Sequence, residues 1–239
     1  MLDKSLQYFD FIMKMPAEKV TALPEVHLPD GYVLDFFREG DELSWARLEA
    51  AVLEFPSEEK ALEYFKKNYS DPFMPQLKQR CVFVREASSG KAVSTATAWF
   101  MPSSLGNRGW LQWISTDPAH QGKGLARAAI VRALQLFPKY EPGSDIYLHT
   151  QTWSHKAIYL YHKLGFEAFD IDHVKVTWDN EEGFRVMHND TAKALKELEK
   201  VYSPELIASL KNNMLHPTPF ERTDHPPAQD ILFPADFQK

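Results

Sequence analysis

The run Gln121-Gly122-Lys123-Gly124-Leu125-Ala126 joins an apolar strand to an amphipathic helix, and a chain carrying it is committed to a strand-turn-helix unit at its centre. Its two glycines leave main-chain amides bare and let an anion approach closely. Upstream, Trp110 to Thr116 reads as a buried strand that Asp117-Pro118 stops. Downstream, Ala126, Ile130, Ala133, Leu134 and Phe137 recur at helical spacing and turn one apolar stripe towards a sheet. The helix therefore starts inside the glycine turn. Unpaired amides and the positive end of the helix dipole together suit a phosphate or pyrophosphate. Two common phosphate loops are excluded, since neither Gly-x-Gly-x-x-Gly with a later ribose-binding acid nor a Gly-Lys-Ser/Thr ending is present.

The remaining pattern, Gln/Arg-x-x-Gly-x-Gly/Ala, resembles the coenzyme A pyrophosphate loop of the GNAT superfamily of N-acetyltransferases. A second segment makes the resemblance specific. Ser154-His155-Lys156-Ala157-Ile158-Tyr159-Leu160-Tyr161-His162-Lys163-Leu164-Gly165-Phe166 is similar to the family's Asn-x-x-Ala-x-x-Leu-Tyr-x-Lys-x-Gly-Phe signature, and it follows the strand Ile146 to Thr152. The resemblance implies an α/β GNAT fold, with a mixed central sheet of about seven strands flanked by helices and a helical, Pro-rich C-terminal extension.

The rest of the chain agrees with that outline. At 239 residues and 44% hydrophobic it can bury the core of one domain with extensions. Tyr8 to Met15 reads as an edge strand or a pairing extension, and Gly31 to Phe37 as the first core strand. Two helices follow, from about Glu42 to Phe55 and from about Ser57 to Tyr69. Then comes a hairpin, Cys81 to Glu86 and Ala92 to Phe100, around Ser88-Ser89-Gly90-Lys91. Past Phe166, Phe169 to Trp178 and Phe184 to His188 read as a closing hairpin, Thr191 to Tyr202 as a helix, and Ser203-Pro204-Glu205 as the start of another. Prolines at 217, 219, 226, 227 and 234 end all period, while Phe220, Phe233 and Phe237 argue for docking of that tail on the body. The expected domains are residues 1–190, with 1–30 as a strand extension, and residues 191–239 packed on them.

Composition narrows the class. No run of about 18 apolar residues exists, so no membrane span is expected. A net charge of -6 without a basic cluster argues against nucleic acid and anionic membranes as partners. The single cysteine, Cys81, forms no internal disulfide and reads as a buried strand thiol, which with the lack of a signal-like N-terminus favours the cytoplasm. No metal-ligand spacing occurs among the histidines. A homodimer is left open as the assembly.

The resemblance assigns roles residue by residue. Amides from Gly122 to Ala126 (Gly122, Lys123, Gly124, Leu125, Ala126), with Gln121, would bind the acetyl-CoA pyrophosphate. Main-chain groups at Ile114, Ser115 and Thr116 would meet the acetyl and pantetheine arm, as an added strand does. Tyr161 matches the tyrosine that many members use as the acid for the departing thiolate, and a phenol near pKa ~10 is protonated at neutral pH. Packing alone also explains an aromatic there, since Ala157, Tyr161 and Leu164 share a helical face. Ser154 stands where the family most often has an asparagine on the arm, and a serine at that place is first of all a helix cap. Gly165-Phe166 reads as a left-handed helix ending. For the general base, Glu54 and His149 are the two candidates, with a solvated glutamate, a satisfied strand histidine or a water chain as the plain alternatives.

The implied activity is transfer of acetyl from acetyl-CoA to a primary amine, by direct attack in a ternary complex. A silent acetyl-CoA-binding sensor or scaffold, or an acyltransferase with another donor, are the alternatives. The acceptor, a small-molecule or peptide amine, would lie by the first two helices and the final hairpin. Glu49, Glu54, Glu58 and Glu59 stand there among Trp45, Phe55, Tyr64 and Phe65, and carboxylates attract a cationic amine.

Overall fold

The computed structural model describes residues 2–69, 73–177 and 185–222. The N-terminal half carries β1 (Asp10–Met15), α1 (Ala17–Val20), β2 (Tyr32–Phe36), α2 (Glu42–Ala51), α3 (Glu58–Tyr69) and α4 (Met74–Arg80). Three strands follow, β3 (Cys81–Glu86), β4 (Ala92–Ser103) and β5 (Gly106–Thr116), then α5 (Leu125–Leu134) and α6 (Phe137–Tyr140). The chain continues through β6 (Ile146–Gln151), α7 (His155–Leu164), β7 (Glu167–Ala168), β8 (His173–Val176), β9 (Arg185–His188), α8 (Thr191–Leu198) and α9 (Pro204–Asn212). One mixed sheet runs β2-β3-β4-β5-β6-β1-β7, and the β8–β9 hairpin joins it by pairing Ser103 of β4 with Val176, for nine strands among the described residues. The expected mixed α/β architecture is therefore present, with the seven-strand path extended by that hairpin.

Two strands exchange the places expected for them. β1 is interior, antiparallel to β6 on one side and to β7 on the other, and Phe11, Ile12, Met13 and Met15 are fully buried. A continuous apolar run is the pattern of a strand covered on both faces, which a reading as alternation missed. β2, expected at the core, is an edge strand paired only with β3 and half-buried along its length. The short α4 was not anticipated at all. Its Pro75 occupies the first turn, where the missing N–H costs nothing, and its Arg80 is fully buried, donating to Ala98 O at 2.9 Å and paired with Glu141.

The apolar stripe predicted from Ala126 to Phe137 breaks after Leu134, and the chain restarts as α6 at Phe137-Pro138. That break puts the Phe137 ring under Gly109 on β5, where a Cβ would stand 2.6 Å from ring carbons. Gly109 pairs with Ile146, at the one place where β5 and β6 touch. Gly109→Ala is therefore expected to destabilise the fold by about 1–3 kcal/mol, read from urea unfolding, because the ring has no unstrained place to go. An unchanged midpoint would show that α6 yields freely.

β1 also ties down the start of the C-terminal tail. Lys14, buried in the apolar run, contacts Asp145 and Glu221 at 2.8 Å each, and Tyr147 Oη donates to Glu221 Oε1 at 2.6 Å. Burial raises the Glu221 pKa, but bonds from Lys14, Tyr147 and Thr218 outweigh it and hold the carboxyl down at about 2. Glu221 thus fastens the start of the tail to the body, whereas Phe220, expected to dock, is half exposed. Phe233, Phe237 and the rest of the Pro-rich segment fall outside the described residues.

Candidate active site

A bulge begins the construction. β4 and β5 pair Thr95 with Ser115 but Thr97 with Gln112, so that Trp113 and Ile114 oppose Ala96 alone. Trp113 takes φ +50°, a left-handed conformation that costs a non-glycine residue about 1–3 kcal/mol and persists only where packing enforces it. Here the packing is aromatic, with Trp45, Phe55 and Tyr64 ring centroids 5.3, 5.4 and 5.1 Å from that of Trp113. The bulge turns β5 away from β6.

The consequence is an open wedge. β5 and β6 are parallel and pair only through Gly109–Ile146 and Trp110–Tyr147. Past Trp110, the β5 edge that faced β6 has no strand beside it among the described residues and is open to an extended ligand, although Ser115 O and Thr116 O already accept from Ser94 Oγ and Gln121 Nε2. A cavity of about 620 Å³ fills the wedge, with Ile114 on one wall and Leu148 and His149 on the other. Ser154, Ala157 and Tyr161 of the α7 segment close one side, and Glu49 and Glu54 approach from α2 and the turn after it.

At the C-terminal end of β5 the glycine turn has the form expected of it. Gly122 and Gly124 lie at φ +78° and +80°, and open space surrounds the positions where their Cβ atoms would be. Gly124 caps α5 with no side-chain bond to the first-turn amides, and residues 121–124 are exposed. Leu125 is buried and anchors the helix start, while Gln121 Nε2 donates to Thr116 O at 3.1 Å and fixes the turn to the strand end. Lys123 Nζ reaches Tyr32 Oη at 3.0 Å. An uncapped, glycine-cradled helix start fits a pyrophosphate, and the unpaired strand edge fits the arm attached to it.

Tyr161 lines the cavity from α7, nearly buried, with its ring edge-on to Phe166 at 6.1 Å. Burial raises the phenol pKa, and the charges of Glu54 and Glu49 raise it further. Gly165 at φ +108° ends α7, and Phe166 N donates back to Tyr161 O at 3.0 Å, which fixes the last turn and the tyrosine with it. Ser154 makes no hydroxyl cap. Instead the Gln151 side chain accepts from Ser154 N at 2.9 Å, leaving the serine on the cavity wall.

The two sequence candidates for a base differ in surroundings. His149 Nε2 lies 3.0 Å from Asp10 Oδ1, which also accepts from Tyr8 Oη at 3.1 Å. Burial raises the Asp10 pKa, but these bonds outweigh it and leave the carboxyl below its ordinary range. Glu54 follows Leu53, held at φ +71°, and its surroundings raise its pKa by desolvation, with Lys4 opposing. Both side chains face the same cavity.

Glu49 was read from the sequence only as one acid among several. In the structure it is 1% exposed, with Oε1 buried and without a hydrogen-bond partner among the described residues. Desolvation pushes its pKa up to about 8, with the Ser115 hydroxyl opposing and the Glu54 charge adding. Its position carried a signal, since it stands four residues after Trp45 and three before Val52 on the helix face that packs inward.

Residues 44–166, just over half of the chain, match the model of the acetyltransferase (GNAT) family. The chain belongs to that family. Among solved structures, a GCN5-related N-acetyltransferase from Sphaerobacter thermophilus aligns at 20% identity with a TM-score of 0.52, covering 72% of this chain and 50% of that one. A GNAT-family acetyltransferase from Colwellia psychrerythraea aligns at 11% identity with a TM-score of 0.50, covering 70% and 55%. At these identities the likeness concerns the GNAT fold, and the chain spans about half the length of these structures. No curated protein matches. No helix among the described residues is long and apolar enough to cross a membrane, and no described group of His, Cys, Asp and Glu is arranged to hold a metal.

Proposed function

We propose that this chain transfers the acetyl group of acetyl-CoA to a primary amine by direct attack in a ternary complex. The observation that carries this reading is the wedge between β5 and β6, in which an unpaired strand edge leads to an uncapped helix start while Tyr161 borders the same cavity. Acetyl-CoA would supply an activated acetyl thioester.

The chain's own residues do the rest. Amides from Gly122 to Ala126 bind the pyrophosphate, Gln121 holds the turn to β5, and main-chain groups at Ile114, Ser115 and Thr116 align the arm as an extra strand. Fixing both ends of a long ligand removes much of the entropic barrier to reaction, an effect worth several kcal/mol. Tyr161 gives its proton to the departing sulfur. Its raised pKa keeps it protonated over the working range, and the same dry surroundings raise the basicity of a thiolate formed there. Removal of the amine proton needs a base on the cavity wall, where Glu54 and His149, with Asp10 behind it, are the candidates read from the sequence. Residues 1–190 would form the catalytic unit, with the C-terminal segment from residue 191 fastened to it at Glu221, which pairs with Lys14.

The test is binding joined to turnover. Acetyl-CoA is expected to raise the melting temperature by several degrees, and adding primary amines to release free thiol that a chromogenic reagent detects. Stabilisation without thiol release from any amine would make the chain an acetyl-CoA-binding protein and not an enzyme.

A further inference from the structure

Resting on the acetyl-transfer reading, we propose that Glu49 receives the ammonium group of a cationic amine acceptor and takes the proton that frees the nitrogen lone pair. A carboxylate oxygen buried without a hydrogen-bond partner is costly, and Glu49 Oε1 is one, shielded from solvent in a residue that borders a cavity wide enough for a ligand. An entering ammonium would satisfy it. Tyr8, Tyr64 and Trp113 line the same space, and their ring faces attract cations, while Glu54 adds a second negative charge at the α2 end. Tyr161 is near enough for both carboxylates to bear on its phenol, so proton acceptor and proton donor share one chamber.

The groups facing Glu49 agree with this role. They are the Ser115 hydroxyl of β5, Glu54 after α2, Tyr69 of α3, Cys81 of β3 and Tyr161 of α7, and none is a cation. Tyr8, Asp10, Tyr64, His149, Arg185 and His188 complete the titratable lining of the cavity. With its pKa pushed up to about 8, Glu49 is largely protonated at neutral pH in the free protein.

The proton balance closes. The Glu49 carboxylate takes a proton from R–NH3+ and becomes the acid. The neutral nitrogen bonds to the acetyl carbon as the C–S bond breaks, and the Tyr161 proton passes to the sulfur. The new amide gives its surplus proton back to Tyr161, and Glu49 releases its own to solvent as the product leaves. For a cationic amine, kcat/KM is therefore expected to rise with pH through about 8 and to fall as the amine itself loses its proton near ~10.

Two amines separate this role from packing: 2-phenylethylamine, protonated at neutral pH, and 2,2,2-trifluoroethylamine, which is not. Glu49→Gln is expected to lower kcat/KM for the first about a hundredfold to a thousandfold, to change the second about threefold or less, and to abolish the limb at pH 8. The variant should melt no lower than the wild type at pH 9, since the amide removes a buried charge. Should the amide fail to fold, Glu49→Asp decides the matter by keeping the alkaline limb at a reduced rate. Equal losses for both amines, unchanged rates, or a wild type that turns over neither would overturn the assignment. Acetyl-CoA stabilisation, measured on the same samples, is expected to be the same in all of them, and its absence from the wild type would instead remove the acetyl-transfer reading.

Discussion

Replacing Tyr161 with phenylalanine is expected to lower the turnover number about tenfold to a thousandfold while leaving acetyl-CoA affinity and melting temperature almost unchanged. The change removes one hydroxyl that borders the cavity and keeps the ring that packs on Phe166. Because the phenol pKa is raised by burial and by two nearby carboxylates, ionisation of Tyr161 should not limit the rate anywhere below pH 10. Steady-state rates with calorimetric acetyl-CoA titrations separate the two possible roles. A variant that melts early but retains its specific activity would make Tyr161 a packing residue.

A second large effect is expected at the glycine turn. Gly124→Val should abolish the thermal stabilisation by acetyl-CoA, for two reasons that act together. Gly124 lies at φ +80°, a conformation strained for any β-branched residue, and its missing Cβ leaves open the face that the phosphates would occupy. Differential scanning fluorimetry across a range of acetyl-CoA concentrations reads the effect. Equal shifts for variant and wild type would move the pyrophosphate away from this turn. Since no neighbouring atom lies within 4 Å of the added Cβ, the variant is expected to fold, with a moderate loss of stability from the backbone alone.

What the sequence revealed follows the locality of the signals. The turn from Gln121 to Ala126, the helix ending at Gly165-Phe166 and the Cys81–Glu86 strand depend on neighbours in sequence, and the structure has each of them. The place of β1 depends on β6 and β7, more than 130 residues away, and no local pattern could tell a pairing extension from an interior strand. The Trp113 bulge is equally non-local, because its strain is held by rings from α2, α3 and the turn between them. Glu49 was hidden by a sound general rule, that glutamates on helices are solvated. Its burial follows from Trp45, Ala46 and Leu48 packing inward around it, a face legible as helical period but not as a cavity wall.

Direct transfer of an acetyl group from coenzyme A to an amine held in the β5–β6 wedge is the reaction proposed for this chain. Mass spectrometry after incubation with trideuteroacetyl-CoA and 2-phenylethylamine tests it most directly. The labelled N-acetyl amide is expected to form in step with free coenzyme A, with the mass of the protein unchanged throughout. Labelled acetate in place of the amide, a labelled acetyl group retained on the protein, or intact acetyl-CoA would contradict it.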